Sequence, residues 1–217
     1  MADTEITLAG ETVLLLAEHA LYWPALATLI IADPHLGESE GLGAAALPAP
    51  EGGVEEDLAR LDRTIARSGA QRLIVLGDLT HARAGFAPTM VATLATWRAR
   101  HGELNLMLVR GNHDISASDP PATWGFTIVN EPFALGPFML CHQPTIPTPG
   151  YIIAGHTHPA VRLNGPGRQQ EQLPCFLIGP QRTILPAFGG FTGAVAVTPD
   201  EADHVYVVTD GEVLPIR

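Results

Sequence analysis

The sequence contains no lysine, so all twelve of its cationic side chains are arginines. They stand against 23 aspartates and glutamates, and the formal net charge is −11. Nucleic acid backbones and anionic membranes are held mainly by basic surface, so the charge taken alone argues against a broad nonspecific affinity for either. Nine histidines accompany the carboxylates, and this combination favours bound metal ions as the partners of much of the negative charge.

Cysteine is scarce, since only Cys141 and Cys175 occur. Two cysteines build no disulfide framework and no four-cysteine zinc site. No apolar run approaches the roughly 20 residues that cross a bilayer, and the first residues lack the basic and then apolar pattern of a signal peptide. With 217 residues, of which 46% are hydrophobic and 16% charged, the chain is expected to form one soluble, cytoplasmic domain over residues 1–217.

Short apolar runs that end in polar residues organise the first three quarters of the chain. They are TLIIAD (28–33), RLIVLGD (72–78), LNLMLVRGNHD (104–114), FMLCH (138–142) and YIIAGHTH (151–158). Runs this rich in Ile, Val and Leu are typical of strands buried on both faces. Helical periodicity over 53–69 and 88–102 separates the first three runs. The alternation predicts an α/β core.

The last third of the chain has a different pattern. The apolar stretches CFLI, AVAV and HVYVV are separated by glycine and proline, and TDG at 209–211 predicts a hairpin turn. We therefore expect a second, largely antiparallel sheet packed on the first. Loops are predicted at 41–53, 115–125 and 143–150.

Each of the five apolar runs delivers polar side chains at its C-terminal end, where open α/β sheets place their ligand sites. These side chains are Asp33 and His35; Asp78 and His81; Asn112, His113 and Asp114; His142; and His156 and His158. Because residues i and i+2 of a strand point the same way, DPH and HTH are each expected to present two groups to one side. A single polar strand end is usually a turn former, but five together favour one shared site.

The donor types indicate which ions this site would hold. Carboxylate, amide oxygen and imidazole without thiolate suit Mn²⁺, Fe or Zn²⁺ better than a structural zinc knot. Donors in such number are too many for one tetrahedral ion. Two divalent ions bridged by one carboxylate fit them well.

The blocks D-x-H, G-D, G-N-H-D, H and G-H-x-H, in this order from Asp33 to His158, resemble those of the calcineurin-like binuclear metallophosphoesterases. The resemblance implies a four-layer α/β/β/α sandwich with two central mixed sheets. It also implies a ligand set in which Asp78 bridges the two ions. One ion would take Asp33, His35 and His158, and the other Asn112, His142 and His156.

Two-metal chemistry then predicts the reaction. Two adjacent cations lower the pKa of a shared water and clamp the phosphoryl oxygens, so a metal-bridging hydroxide would attack phosphorus in line. His113 would stabilise developing charge or donate a proton to the leaving oxygen. Asp114 would orient a loop or a histidine, with turn capping as the alternative.

Residues around the metal blocks bear on the substrate. His81, three residues after Asp78, resembles a histidine of the nuclease branch of this superfamily, where it works with the histidine of the GNHD block; the alternative is a polar turn residue. Arg83 and Arg110 flank the blocks and are candidates for binding phosphate. Arg110 is equally suited to pairing with a surface acid.

Further stretches, among them ALYWP, GDLxHAR, VRGNHD and AGHxHPAVRL, resemble the ligase-associated DNA damage response endonucleases (the PdeM family) over nearly the full length. This resemblance implies a Mn²⁺-dependent phosphodiesterase that cuts single-stranded DNA in repair, beside an ATP-dependent DNA ligase, a helicase and an exonuclease. The alternatives are a phosphomonoesterase, a nucleotide phosphodiesterase or a non-catalytic repair scaffold. The sequence departs from that family at Pro34, Glu38, Gln143 and Ala194. Pro34 is expected to hold Asp33 in extended backbone.

Overall fold

The computed structural model of the protein describes residues 2–37, 53–80, 88–117, 119–164 and 170–216. One sheet is formed by seven strands in sequential order. These strands are β1 (Thr4–Leu8), β2 (Glu11–Leu16), β3 (Ala20–Trp23), β4 (Thr28–Ala32), β5 (Arg72–Leu76), β6 (Asn105–Val109) and β7 (Phe126–Val129). Strands β1 to β4 pair antiparallel, and β4 to β7 pair parallel. Sequence analysis did not predict β1 to β3.

The second sheet contains the remaining strands of the described residues. They are β8 (Phe133–Leu135), β9 (Phe138–Leu140), β10 (Tyr151–Ala154), β11 (Pro159–Asn164), β12 (Gln170–Ile178), β13 (Arg182–Ile184), β14 (Val195–Ala196), β15 (His204–Thr209) and β16 (Glu212–Pro215). Their order is β14-β11-β12-β13-β10-β9-β8, with β15 beside β12 and β16 beside β15. Strands β9, β10 and β13 pair parallel, as do β11 and β14, and the other pairs are antiparallel.

Two of the predicted features of this sheet are confirmed. Most of its strand pairs are antiparallel, and Thr209 pairs with Glu212 across the predicted two-residue turn. The sheet begins earlier than expected, however, because β9 and β10, the FMLCH and YIIAGHTH runs, belong to it rather than to the first sheet.

The helices are α1 (Gly53–Ser68), α2 (Pro88–Arg100) and α3 (Asn112–Ala117), with short 3₁₀ turns at Pro24–Leu26 and Ala122–Trp124. Helix α1 buries a stripe of Leu58, Leu61 and Ile65, as the helical periodicity over 53–69 predicts. It ends where Gly69 takes a left-handed φ of 70°, a conformation that glycine adopts without strain. Helix α3 was not expected, since the sequence pattern placed residues 112–114 at the end of a strand.

The alternation of side chains along β4 shows how the layers pack. Leu29 and Ile31 belong to a core with the apolar faces of α1 and α2. Ile30 and Ala32 belong to a second core with Phe138 of β9 and other residues of the second sheet. The helices therefore cover one face of the first sheet, and the second sheet covers its other face. The α/β fold with two mixed sheets is confirmed.

A third apolar cluster lies on the second sheet and consists of strand residues such as Cys175, Leu177 and Val207. Among the described residues, no helix is long and apolar enough to cross a membrane. The C-terminal ends of β4, β5 and β6 in one sheet and of β9 and β10 in the other lead into the loops that carry the candidate ligands.

Candidate metal centre

Two groups of potential metal ligands lie where the strands of both sheets end. Asp33, His35 and His158 form one group, and Asp78, His142 and His156 form the other. Within each group the ligand atoms lie within 4.8 Å of one another. We call these the Asp33 group and the His142 group.

Asn112 and Asp78 complete the arrangement. Asn112 Oδ1 is 2.9 Å from His142 Nε2, so the amide joins the His142 group. Asp78 Oδ2 is 3.4 Å from His142 Nε2 and 3.9 Å from His35 Nε2. Its carboxylate therefore lies between the two groups, where a bridging ligand would be needed.

The backbone at these ligands is unusual. Left-handed φ values occur at Asp33 (50°), His35 (43°), Asp78 (49°), His156 (67°) and His158 (47°). For residues other than glycine, such conformations cost of order 1–3 kcal/mol each and concentrate at functional sites. The strain is offset by backbone contacts such as His35 N–H to Asp78 O at 3.1 Å and His156 N–H to Asp33 Oδ2 at 2.7 Å.

Two expectations from the sequence are wrong for this reason. His156 and His158 do not point the same way, because they follow β10 in a turn and belong to different groups. Asp33 is not extended before Pro34, since β4 ends at Ala32 and the chain turns at once into the left-handed region. Asp33 and His35 do share a group, but through this turn rather than through strand alternation.

Two glycines lie so close to ligand side chains that a larger residue in their place would collide with them. A Cβ atom at Gly77 would lie within 3.0 Å of His142 Nδ1, and one at Gly155 within 3.0 Å of Asp33 Oδ2. The glycine of the G-D block thus admits a histidine from the second sheet, while the glycine of the G-H-x-H block admits an aspartate from the first. Both positions require glycine, because the ligand side chains approach the backbone too closely for a Cβ atom.

The Nδ1 atoms of two ligand histidines face backbone carbonyl oxygens. His142 Nδ1 is 3.1 Å from Leu76 O, and His158 Nδ1 is 3.0 Å from Gly193 O. A carbonyl oxygen only accepts, so a neutral His158 carries its hydrogen on Nδ1 and keeps the lone pair on Nε2. His142 Nδ1 is placed in the same way, while its Nε2 faces Asn112 Oδ1. Such an arrangement is typical of histidines that bind metal through Nε2.

The buried carboxylate of Asp33 supports the same conclusion. Its Oδ1 is buried and, among the described residues, accepts no hydrogen bond. It lies 3.6 Å from His158 Nε2 and 3.4 Å from His142 Nδ1. Since a buried carboxylate oxygen needs a compensating partner, this donor set fits a pair of divalent cations.

The pKa values of two ligand histidines move in opposite directions. Burial, together with the neighbouring His142, lowers the pKa of His156. Burial also acts to lower the pKa of His158, but the nearby carboxylate of Asp33 outweighs it, and the pKa of His158 rises.

His113 lies on the open side of the site. Its side chain is 41% exposed, and its Nε2 is 3.9 Å from Asp78 Oδ2. Its backbone N–H donates to Asp78 Oδ1 at 3.0 Å, so its position is tied to the candidate bridging carboxylate. A histidine in this position could reach a substrate bound at the centre.

Asp114 has an orienting role. It is 3% exposed and accepts backbone N–H groups of Asp78, Leu79 and Gly111 at 2.8 to 3.0 Å. Burial, with the charge of Asp78, raises its pKa to about 6. Of the alternatives that the sequence left open, the structure shows Asp114 holding the turns that carry Asp78 and Asn112.

Arg110, a candidate phosphate contact, forms an ion pair within the protein. Arg110 pairs with Asp119 through Nε and Nη2 at 2.8 and 2.7 Å, and its Nη1 donates to Asn130 at 2.9 Å. The surface ion pair is therefore the arrangement that the structure shows. His81, Arg83 and Glu38 lie outside the described residues.

Glu131 supports the His142 group and was not predicted from the sequence. Its Oε2 accepts the backbone N–H groups of His142 and Gln143 at 2.6 and 2.8 Å. The residue lies in the connection from β7 to β8, eleven positions before His142. No local motif distinguishes it, so only the tertiary contact reveals its role.

Comparisons with known proteins agree with this geometry. A family model described as calcineurin-like phosphoesterase matches residues 26–140. The crystal structure of Pseudomonas putida nuclease MPE is similar at 40% sequence identity, over 99% of this chain and 100% of that chain, with a TM-score of 0.85.

A second solved structure, Yfce, a phosphoesterase from E. coli, is similar at 17% identity over 84% of this chain and 88% of that chain. Its TM-score is 0.39, a level of similarity that says nothing about the site. No curated protein matches the chain.

Proposed function

This chain belongs to the calcineurin-like phosphoesterase family, and on that premise we propose that it is a two-metal phosphodiesterase that cleaves single-stranded DNA internally during DNA repair. The observation that carries the proposal is the pair of ligand groups with Asp78 between them. Similarity over the full chain to a protein described as a nuclease supports DNA as the substrate.

The described residues offer a complete ligand set. Asp33, His35 and His158 would hold one ion, Asn112, His142 and His156 the other, and Asp78 both. When bound, two divalent ions activate water and neutralise charge on the phosphoryl oxygens. We propose Mn²⁺ as the native ion on the resemblance to the ligase-associated endonucleases. The donors, oxygen and imidazole nitrogen without sulfur, are compatible with Mn²⁺, Fe and Zn²⁺ alike.

The protein's own groups complete the chemistry. His113, on the open side of the site, would hydrogen-bond a phosphate oxygen or give a proton to the leaving oxygen. We propose His81 as its companion and Arg83 as a phosphate contact, on the resemblance of the GDLTHAR segment to nucleases. Arg110 would contact substrate only by exchanging Asp119 for a phosphate.

The first experiment tests the metal mechanism. Purified protein in Mn²⁺ is expected to hydrolyse bis-p-nitrophenyl phosphate. Asp78→Ala is expected to abolish this activity, and His113→Ala is expected to lower it. His204→Ala changes an exposed histidine on β15 and is the matched control. Undiminished activity in Asp78→Ala would refute the mechanism.

The second experiment tests the substrate. Circular single-stranded DNA has no ends, so its linearisation requires an endonuclease. Hydrolysis of a phosphomonoester or a cyclic nucleotide without cleavage of the circle would favour the two alternative enzymes. Metal binding without any hydrolysis would favour a repair scaffold, an alternative that the retained ligands argue against.

We also propose that the protein works in the cytoplasm with an ATP-dependent DNA ligase, a helicase and an exonuclease. The support is the resemblance of its sequence to the ligase-associated endonucleases. Co-purification of the tagged protein with these enzymes after DNA damage would test the association.

A further inference from the structure

The segment 187–193, which follows β13, is hydrogen-bonded to the Asp33 side of the metal centre. Phe188 N–H donates to Ala32 O at 2.8 Å and Gly189 N–H to Asp33 O at 3.3 Å. At its far end, Gly193 O accepts the Nδ1 hydrogen of His158 at 3.0 Å. The segment therefore supports two of the three ligands of the Asp33 group.

Helix α1 holds this segment in place through a charged pair. Asp57 Oδ1 accepts the Gly190 N–H at 3.0 Å and Arg60 Nη2 at 2.8 Å. The same Nη2 donates to Phe188 O, and the Arg60 guanidinium lies 4.3 Å from the centre of the Phe188 ring. Asp57 is only 7% exposed, so this is a buried attachment of the segment to the helix.

The His142 group has a different support. Glu131 Oε2 accepts the N–H groups of His142 and Gln143. Glu131 lies between β7 and β8, far along the chain from α1. Among the described residues, no hydrogen bond joins segment 187–193 to Asp78, His142 or His156.

We propose that the Asp57–Arg60 pair is a positioning device for one of the two metal sites: through segment 187–193 it sets the affinity of the site formed by Asp33, His35 and His158. Glu131 does the same for the site of His142. The two affinities are thus adjustable by separate outer contacts, each remote from the ions. This inference rests on the proposed two-metal function.

Metal titration tests the inference without using activity. Calorimetry with Mn²⁺ on the full-length protein is expected to show two ions in the wild type. Asp57→Ala should lower the affinity for one ion about 10- to 100-fold, the range for lost outer contacts of metal ligands. The affinity for the other ion should stay unchanged. Glu131→Ala should lower the affinity for that second ion.

The site affected can be identified with His158→Ala. If Asp57 acts through His158 and the Asp33 turn, Asp57→Ala should have little further effect on metal binding once His158 is removed. An equal effect in both backgrounds would overturn the assignment to the Asp33 group.

Conservative variants distinguish an effect on the position of the metal ligands from a failure of the protein to fold. Asp57→Asn keeps an oxygen for the Gly190 N–H, so it should retain more affinity than Asp57→Ala. If Asp57→Ala fails to fold, Asp57→Asn and Arg60→Lys carry the test in its place. Loss of affinity at one ion in these folded variants would support the inference, and unchanged affinity at both would overturn it.

Arg67→Ala is the matched control on the same helix. Arg67 binds Asp3 and Glu18, away from the metal centre, so its removal should lower thermal stability and leave both metal affinities unchanged. If Arg67→Ala and Asp57→Ala weaken both ions alike, the effect belongs to α1 as a whole and the inference is wrong. A wild type that binds fewer than two ions would instead refute the proposed function.

Discussion

The buried carboxylate of Asp114 accepts the backbone N–H of Asp78 at 2.8 Å. Because the same carboxylate also binds the N–H groups of Leu79 and Gly111, one side chain joins the G-D turn to the G-N-H-D turn. The candidate bridging ligand therefore depends on a residue that need not touch metal or substrate.

Asp114→Ala should destabilise the protein, because it leaves three backbone donors without their acceptor. We expect a loss of about 2–4 kcal/mol in the free energy of unfolding, measured by urea denaturation. Asp119→Ala, which removes an exposed partner of Arg110, should cost no more than about 1 kcal/mol. Equal losses in the two variants would contradict the role assigned to Asp114.

Gly77→Ala and Gly155→Ala should disrupt the metal centre. A methyl group at either position meets a ligand side chain within 3.0 Å, and a displacement of about 1 Å at a reacting centre costs roughly 100-fold in rate. We therefore expect at least that loss in phosphodiester hydrolysis. Gly102→Ala is the control, since its Cβ would meet nothing within 4 Å, and wild-type activity in Gly77→Ala would count against the packing argument.

His113→Asn should act on the chemical step rather than on metal binding. If His113 protonates the leaving oxygen, the rate should fall by about 100- to 10,000-fold on DNA. The fall should be smaller on bis-p-nitrophenyl phosphate, whose leaving group needs less protonation. Rate measurements on both substrates, with metal affinity measured by calorimetry, would show this, whereas equal losses on both would exclude proton donation.

His19 should make stability depend on pH. Its Nδ1 lies 2.8 Å from Ala187 O, and burial lowers its pKa from 6.5 to about 4. Between these values the unfolded chain binds a proton that the folded protein does not. The contribution of His19 to the free energy of unfolding is therefore complete above pH 6.5 and is lost as the pH falls towards 4. At pH 5 the loss is about 2 kcal/mol.

Urea denaturation of the wild type and His19→Asn at pH 7 and pH 5 tests this. Asparagine tolerates the left-handed φ of 63° at this position but does not titrate. Other ionisable groups are shared by the two proteins, so the difference in unfolding free energy should shrink by that amount at pH 5. A difference that stays constant with pH would show that His19 does not titrate as expected.

Much of the fold follows from local patterns. The stripe on α1 and the turn at residues 209–211 were predictable, because helical periodicity and turn chemistry act over a few residues. Strands β1 to β3 were not predicted, and β9 and β10 were not predicted to belong to the second sheet. Short apolar strands do not encode which neighbour they pair with, since that choice depends on the packing of distant segments.

The sequence by itself determined which donors this protein can offer to metal ions, because each ligand block ends or follows an apolar run. The family resemblance already implied how those donors divide between two ions, and only the tertiary structure decided which turns bring them together. Asp33 and His35 join His158 across the two sheets, while His156, two residues from His158, joins His142. Left-handed turns at the strand ends override strand alternation there. The supports at Asp57, Arg60 and Glu131 are likewise long-range contacts, which become visible only when the two sheets pack together.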